Sequence, residues 1–261
     1  SSTFNSASFL VVSVKDNTEV SITPSVKTAS GFLANSVINI TLKKGETFLV
    51  QADLGGDLSG STVVSKNGCD KFMVFTGNKS GQSDTSQAKG CSGGDHLYSH
   101  LLPVSHFGKK YYLAAFANQP GNYVAKVTAS EDNTVVFIDG LMQATINASE
   151  SYEYRPTLPA LKKTCLTTSK PTVVYQYMNS KGCNLEPNGK GDPSMLYVPE
   201  KAKWTKKTSF GIFNTPNVST HHVNVVGNKN ALKTLSITTS AIFSQKLDTT
   251  LFCDDMAVVT I

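Results

Sequence analysis

From Phe9 to Val14 the chain is almost unbrokenly apolar; it then breaks at Asp16-Asn17 and resumes with Val20 and Ile22. Short β-branched and aromatic runs, each closed by a turn-forming cluster, recur in this way along the chain and predict strands. The clearest case is Thr134 to Ile146. A strand through Val135 and Phe137 meets Asp139-Gly140, which supplies the two positive-φ positions of a type I′ turn. On the return strand Met142, Ala144 and Ile146 alternate with Leu141, Gln143 and Thr145, the period of a half-buried edge. Helix signals are scarce: only Asp95 to Leu102 is predicted to hold one or two turns, capped by Asp95. The polar stretch from Asn78 to Gly94 reads as an exposed loop.

The pattern repeats within the chain. Asp16-Asn17-Thr18 followed by Val20 and Ile22 returns as Asp132-Asn133-Thr134 followed by Val136 and Ile138. Ile40 to Phe48 corresponds to Thr145 to Tyr152, and Lys71 to Phe75 to Lys170 to Tyr175. Gly94-Asp95 matches Gly191-Asp192, Leu102-Pro103 parallels Val198-Pro199, and Lys109-Lys110 parallels Lys206-Lys207. Order is kept while loops shorten, so the sequence reads as a duplicated antiparallel β module. The predicted boundaries are 1–117 for the first copy, 118–213 for the second, and 214–261 for C-terminal strands that complete or extend a sheet. In that last part His221 to Gly227, Leu235 to Phe243 and Ala257 to Ile261 read as strands, the last of them either continuing into more chain or closing a sheet begun near the N-terminus.

Composition narrows the class. Ser and Thr together fill 56 of 261 positions and charged residues only 16%, too few charges for a coiled coil. No apolar run approaches the roughly 18 residues of a membrane span. The net charge of +5 invites nucleic acid, but 23 of the 24 basic residues are Lys and Arg155 alone is Arg. Lys offers a point charge where phosphate and base recognition use the guanidinium fork. The lysines also sit in scattered pairs at strand ends, which suits solvated rims and protected edges.

Candidate chemistry is thin. Gly90-Cys91-Ser92-Gly93-Gly94 fits the serine-hydrolase pattern, with Asp95 and His96 directly after it. A nucleophile elbow needs a strand before the serine, and triad members converge from separate segments; neither holds here. His96 and His100, with Asp95 and His106, have spacing for a metal site on a helix, but Pro103 ends any helix before His106 and the second copy has no matching histidine. His221-His222 would point to opposite faces of a strand. The turns at Asp16-Asn17 and Glu131-Asp132-Asn133 lack calcium-loop spacing, and Gly77 to Ser83 lacks the lysine of a phosphate loop. No catalytic residue, cofactor or metal site is therefore expected.

Cysteines carry more. Cys69 and Cys91 flank the Phe72–Phe75 run as Cys165 and Cys183 flank Thr172–Tyr175, so equivalent placement predicts the bridges Cys69–Cys91 and Cys165–Cys183 and leaves Cys253 unpaired. Two bridges imply an oxidising compartment. N-glycosylation sequons stand at Asn39, Asn78, Asn147 and Asn217, about as many as chance supplies. With Ser1 first and no signal-peptide pattern, the chain reads as processed or as part of a longer protein.

Five ordered segments resemble a known family. Ala129 to Val136 is similar to the A-S-E-D-N-T-x-V signature of the IgGFc-binding protein N-terminal domain family, and Ser169 to Val174 to its S-x-K-P-V-x-V strand. Asp95-His96-Leu97, Leu102 to Ser105 and Phe107-Gly108-Lys109 resemble its C-D-H-L…L-P-P-V-S-x-W-G-K block. Phe75 to Asn78 and Gly191 to Met195 complete the set, over about Phe9 to Phe213. Phe107 replaces the usual Trp, and the Cys expected just before Asp95 lies earlier, at Cys91. The resemblance implies a secreted or cell-surface module of mucus-associated, matrix or adhesive proteins, with no catalytic residues. Immunoglobulin binding does not carry over, because the matched motifs are turns, strand cores and a cap.

The expectation is an all-β, extracellular, disulfide-linked module. It has two sandwich-like halves or, alternatively, propeller-like four-stranded blades. It binds a protein or glycan partner, an extracellular glycoprotein, through loops such as Asn78–Gly94 and Lys181–Gly191. The rival readings are a hydrolase or metal enzyme centred on Ser92, Asp95, His96 and His100, and a host-interaction or defence protein on the same scaffold.

Overall fold

The computed structural model describes residues 6–81, 94–117, 123–156, 163–179, 192–211, 221–238, 246–248 (backbone only) and 252–261. Four antiparallel sheets organise them. The first, in the order β4-β1-β6-β7, contains β1 (Ala7–Ser13), β4 (Thr47–Gln51), β6 (Phe72–Gly81) and β7 (Asp95–Leu101). A second sets β2 (Thr18–Thr23) between β3 (Ile38–Leu42) and β5 (Thr62–Ser65).

The third sheet has seven strands and curls into a half-barrel. It comprises β8 (Gly108–Ala114), β9 (Tyr123–Ala129), β10 (Thr134–Ile138), β11 (Leu141–Ile146), β12 (Ser151–Tyr154), β13 (Lys163–Met178) and β14 (Ser194–Tyr197). Its spine is β13, 16 residues long. The N-terminal half of β13 pairs Leu166 with Ile138 on one side and Tyr111 on the other. The C-terminal half pairs Tyr175 with Lys126 and Tyr197. One strand thus serves two runs, β11-β10-β13-β8 and β12-β9-β13-β14. The fourth sheet is β15 (Asn224–Asn228), β17 (Met256–Thr260) and β16 (Lys246–Asp248), with the one-turn helix α1 (Lys229–Leu232) against it through Leu232.

Alternation builds the cores. Phe9 and Val11 on β1 and Val20 and Ile22 on β2 bury one face of each strand, and they meet Ile38, Leu42 and Val50 in one cluster between the first two sheets. A second cluster fills the curl of the large sheet with Tyr111, Leu113, Tyr123, Val127, Val136, Leu166 and Val174. At about 25 cal/mol per Å² of apolar surface removed from water, each such side chain contributes about 1.5–3 kcal/mol.

The turn chemistry is the same at two places in the chain. Thr18 Oγ1 donates to Lys15 O at 2.9 Å, as Thr134 Oγ1 donates to Glu131 O at 2.6 Å. Asp16 Oδ1 accepts from Lys44 N and Asp132 Oδ1 from Ala148 N, both at 3.0 Å. Glu46 Oε2 accepts from Lys43 N and Glu150 Oε2 from Asn147 N, both at 2.7 Å. Asn17 and Asn133 take the left-handed conformation at φ 55° and 56°, where a short polar side chain is best tolerated. Asp139 and Gly140, at φ 50° and 81°, form the expected primed hairpin, with a bulge that leaves Met142 exposed while Ala144 and Ile146 pack inward.

Three expectations are corrected. Asp95–Leu101 is strand β7: Leu97 is buried between exposed His96 and Tyr98, and this two-residue period fits pairing with β6 and no helix. Cys165 bonds to Cys253 and not to Cys183, because the segment entering β17 lies across β8 and β13; Cys253 is therefore paired. Cys69 is a free, exposed thiol, while Cys91 and Cys183 lie outside the described residues. Finally, β17 pairs with β15 and β16 and, among the described residues, with no N-terminal strand, and Leu235 to Thr238 forms no strand.

Candidate binding surface

With Phe9 and Val11 turned inward, the pleat turns Ser8, Leu10 and Val12 outward. Register then sets Leu10 opposite Leu49 on β4 and Phe75 on β6, and Phe75 opposite His100 on β7, a row across all four strands. Met73 lies beside Val12, and Tyr98 faces Gly77. The rings interlock: Phe75 stacks on Tyr98 with centroids 5.5 Å apart and planes 7° apart, His100 tilts on Phe75 at 5.3 Å, and His96 stacks on Tyr98 at 6.0 Å. A Cβ on Gly77 would lie 2.2 Å from Leu97 O, so glycine lets β7 close on β6 where Tyr98 stands. This apolar and aromatic face is open: Leu49 is 60% and Tyr98 54% exposed.

The corresponding face of β12-β9-β13-β14 is covered. Register there aligns Glu153, Lys126, Tyr175 and Tyr197. Lys126, only 17% exposed, donates to Asp57 Oδ2 at 2.7 Å and Ser59 Oγ at 2.6 Å in the loop between β4 and β5. Burial works to raise the Asp57 pKa, but the hydrogen bond and charge of Lys126, helped by Ser59, hold it below the usual carboxylate value. Tyr175 donates to His100 O at 3.2 Å, and burial pushes its hydroxyl up to about 12. Burial also raises Tyr177. An open cleft of about 460 Å³, lined by Asp57, Ser59, Lys126 and Glu150, marks the rim of this contact.

The C-terminal segment is clasped elsewhere. Beside Cys165–Cys253, Asp254 Oδ2 accepts from Tyr112 Oη at 2.6 Å and Lys110 Nζ at 2.8 Å. Trp204 and Phe252 hold the Tyr112 ring at 5.4 and 5.2 Å. Burial raises Tyr112 to about 12, and the bond to Asp254 raises Lys110. Cys165, Cys253 and Asp254 converge closely enough to suggest a cation site, but the two sulfurs are bonded to each other and offer no thiolate.

The residues singled out in the sequence fall in several places. Ser92 and Asn217 lie outside the described residues, as do the expected binding loop 181–191 and most of the 78–94 stretch. His96 and His100 are exposed with Tyr98 on the outward face of β7, Asp95 is exposed on the Leu97 side of the same strand, and His106 sits apart in the 3-10 turn Val104–His106, with Nδ1 3.3 Å from Ser105 Oγ. Asp16, Asn17, Asp132 and Asn133 serve the paired turns, and Asp192 is exposed ahead of β14. Asn39 and Asn147 are exposed; their Oδ1 atoms accept from Ser21 Oγ and Asn133 N, and Asn78 Oδ1 accepts from Ser80 N. Sequence reasoning missed the Leu10–Phe75–Tyr98 face. Its signal was there: Phe9 to Val12 and Phe72 to Phe75 do not alternate, so both faces of two strands are apolar.

The family model described as IgGFc binding protein matches residues 1–249. The chain belongs to that family. No curated protein matches it. The open sheet face thus sits in a member of the IgGFc-binding family, a binding-domain family, and the family and the disulfide are consistent with an extracellular location. Among the described residues of this family member, no helix is long and apolar enough to cross a membrane.

Proposed function

We propose that the chain is an extracellular, non-enzymatic binding or adhesion module made of two sandwich-like halves, and that it holds a protein partner from mucus or matrix on the outer face of β4-β1-β6-β7. The observation that carries this is the open row Leu49–Leu10–Phe75–His100 with Tyr98, set against the covered row around Lys126 and Tyr175. Exposed aromatic and aliphatic side chains in one contiguous patch are the usual mark of a protein-binding surface. The duplication is supported by the recurring turn hydrogen bonds and the parallel strand orders. His96 and His100 lie on an open strand face and are engaged in ring contacts, and Asp95 falls on the other side of that strand; such an arrangement suits recognition better than the enclosed, converging geometry catalysis uses.

The test is capture of glycoproteins from mucus or matrix extract by immobilised wild-type chain and by Phe75→Lys. We expect the variant to lose about tenfold in affinity, a centre-of-patch effect of roughly 1.4 kcal/mol, and binding to survive enzymatic deglycosylation of the extract. Equal capture by wild type and variant would remove this face as the binding surface.

A further inference from the structure

The two strand orders differ at one edge. In the large sheet, β8 lies against the N-terminal half of β13, with Tyr111 opposite Leu166, Tyr112 opposite Cys165 and Leu113 opposite Thr164. The other neighbour of that half is β10, where Val136 faces Thr168 and Ile138 faces Leu166. Strand β5 holds the same position against β2: Val20 faces Ser65 and Ile22 faces Val63. Yet among the described residues nothing pairs with the far edge of β5, and Val64 there is 56% exposed. Among the described residues, the first half has an acceptor edge without its strand.

The second half has a strand without its edge. Strand β8 follows the 3-10 turn Val104–His106; after the equivalent turn Lys201–Lys203 comes Trp204 to Phe213, where Trp204 answers Phe107, Lys206-Lys207 answers Lys109-Lys110, and Phe210 answers Leu113. Leu113 is fully buried. Phe210 is 63% exposed, Thr205 to Gly211 is exposed throughout, and none of it is in a sheet.

We propose that copies of this chain associate head to tail, residues 205–211 of one copy adding as an antiparallel strand to the β5 edge of the next. The internal register carries over: Thr208 stands opposite Val63, Ser209 opposite Thr62 and Lys207 opposite Val64. The same docking brings the second half of one copy against the face of Leu10, Phe75 and Tyr98 in the next, as the loop between β4 and β5 and strand β7 already meet Lys126 and Tyr175 within one chain. Strand addition satisfies the open N–H and C=O groups of an edge and is a recurrent mode of recognition. Because donor and acceptor are different surfaces, each added copy leaves one of each free, and the assembly propagates. This rests on the reading of the Leu10–Phe75–Tyr98 face as a binding surface and names its partner as a second copy of the chain.

The test adds one reporter cysteine at a time to the full chain carrying Cys69→Ser, with the same chain lacking a reporter as the background for crosslinking. Thr62 and Ser209 form a pair without mutual backbone hydrogen bonds, the type whose side chains approach most closely. Mixing Thr62→Cys with Ser209→Cys under mild oxidation should give intermolecular disulfide dimers about tenfold more abundant than mixing Thr62→Cys with the out-of-register Thr205→Cys. In parallel, sedimentation of unmodified chain should show mass rising with concentration. Thr208→Pro removes a ladder donor from a segment that is exposed and outside any sheet, so it should leave the thermal melt unchanged while weakening association about tenfold. Equal crosslinking in both mixtures, or association untouched by Thr208→Pro, overturns the proposal. If that happens while Phe75→Lys still weakens capture of extracellular protein, the binding reading stands and only the identity of the partner falls.

Discussion

Tyr111 shows what single side chains do in this fold. It is buried on β8, and its hydroxyl donates to Thr172 O while accepting the Gly108 N–H at 3.0 Å. Those bonds join the start of β8 to the middle of β13, and burial lifts the hydroxyl to about 12, so it stays protonated throughout the physiological range. Tyr111→Phe keeps the ring but strands one buried donor and one buried acceptor. Unfolding free energy in urea should fall by about 1–3 kcal/mol with an unchanged slope. At this scale the sequence was legible where the chemistry is local. Asn17, Asn133 and Asp139-Gly140 write their own turns within a few residues. Tyr111 could not be read that way, since its partner Thr172 is 61 positions away and no nearby pattern encodes it.

Among elements, the short strands were legible and their partners were not. Periodicity places β1, β2, β10 and β11, yet β7 resembles a helical turn in sequence because Asp95 looks like a cap and Leu97 is its one fully buried side chain. The alternation that settles the matter appears only once β6 lies beside it. Cysteine pairing failed for a related reason. The repeat read in the sequence favours a local bridge, but the C-terminal segment packs on Tyr112 and Ala114 and takes Cys165 for itself. Closing 88 residues, this bridge is worth about 4.5 kcal/mol in the chain-entropy model. Cys253→Ser, or dithiothreitol on the wild type, should therefore lower the melting temperature by several degrees. It should also expose the segment before β17 to limited proteolysis while cleavage within β1–β6 stays unchanged.

For the molecule as a whole, the ion pair Lys126–Asp57 joins the face of the large sheet to the loop of the first. The Asp57 pKa is lowered below its ordinary 3.8, so the unfolded chain takes up the proton first as the pH falls. The contribution is fully present above that ordinary value and is lost as the pH drops through the lower folded one. Asp57→Asn should thus be less stable than wild type at neutral pH, with the gap closing as the pH falls below the ordinary 3.8 and through the lower folded value, and narrowing in high salt. Urea midpoints measured across that range check it. The overall β class and the family were legible from the sequence. The asymmetry between a covered and an open sheet face was not, because both faces are built from similar strands and differ only in what packs against them.

The bond between Cys165 and Cys253 also decides how the protein carries tension. A pull applied beyond Cys253 enters β13 directly through the sulfurs and never passes along the chain between them. The length held in reserve is about 300 Å at full extension, from 88 positions at 3.3–3.6 Å each. Under oxidising conditions the fold is a short, stiff link, and under reduction the same link can pay out that length before its neighbours bear the load.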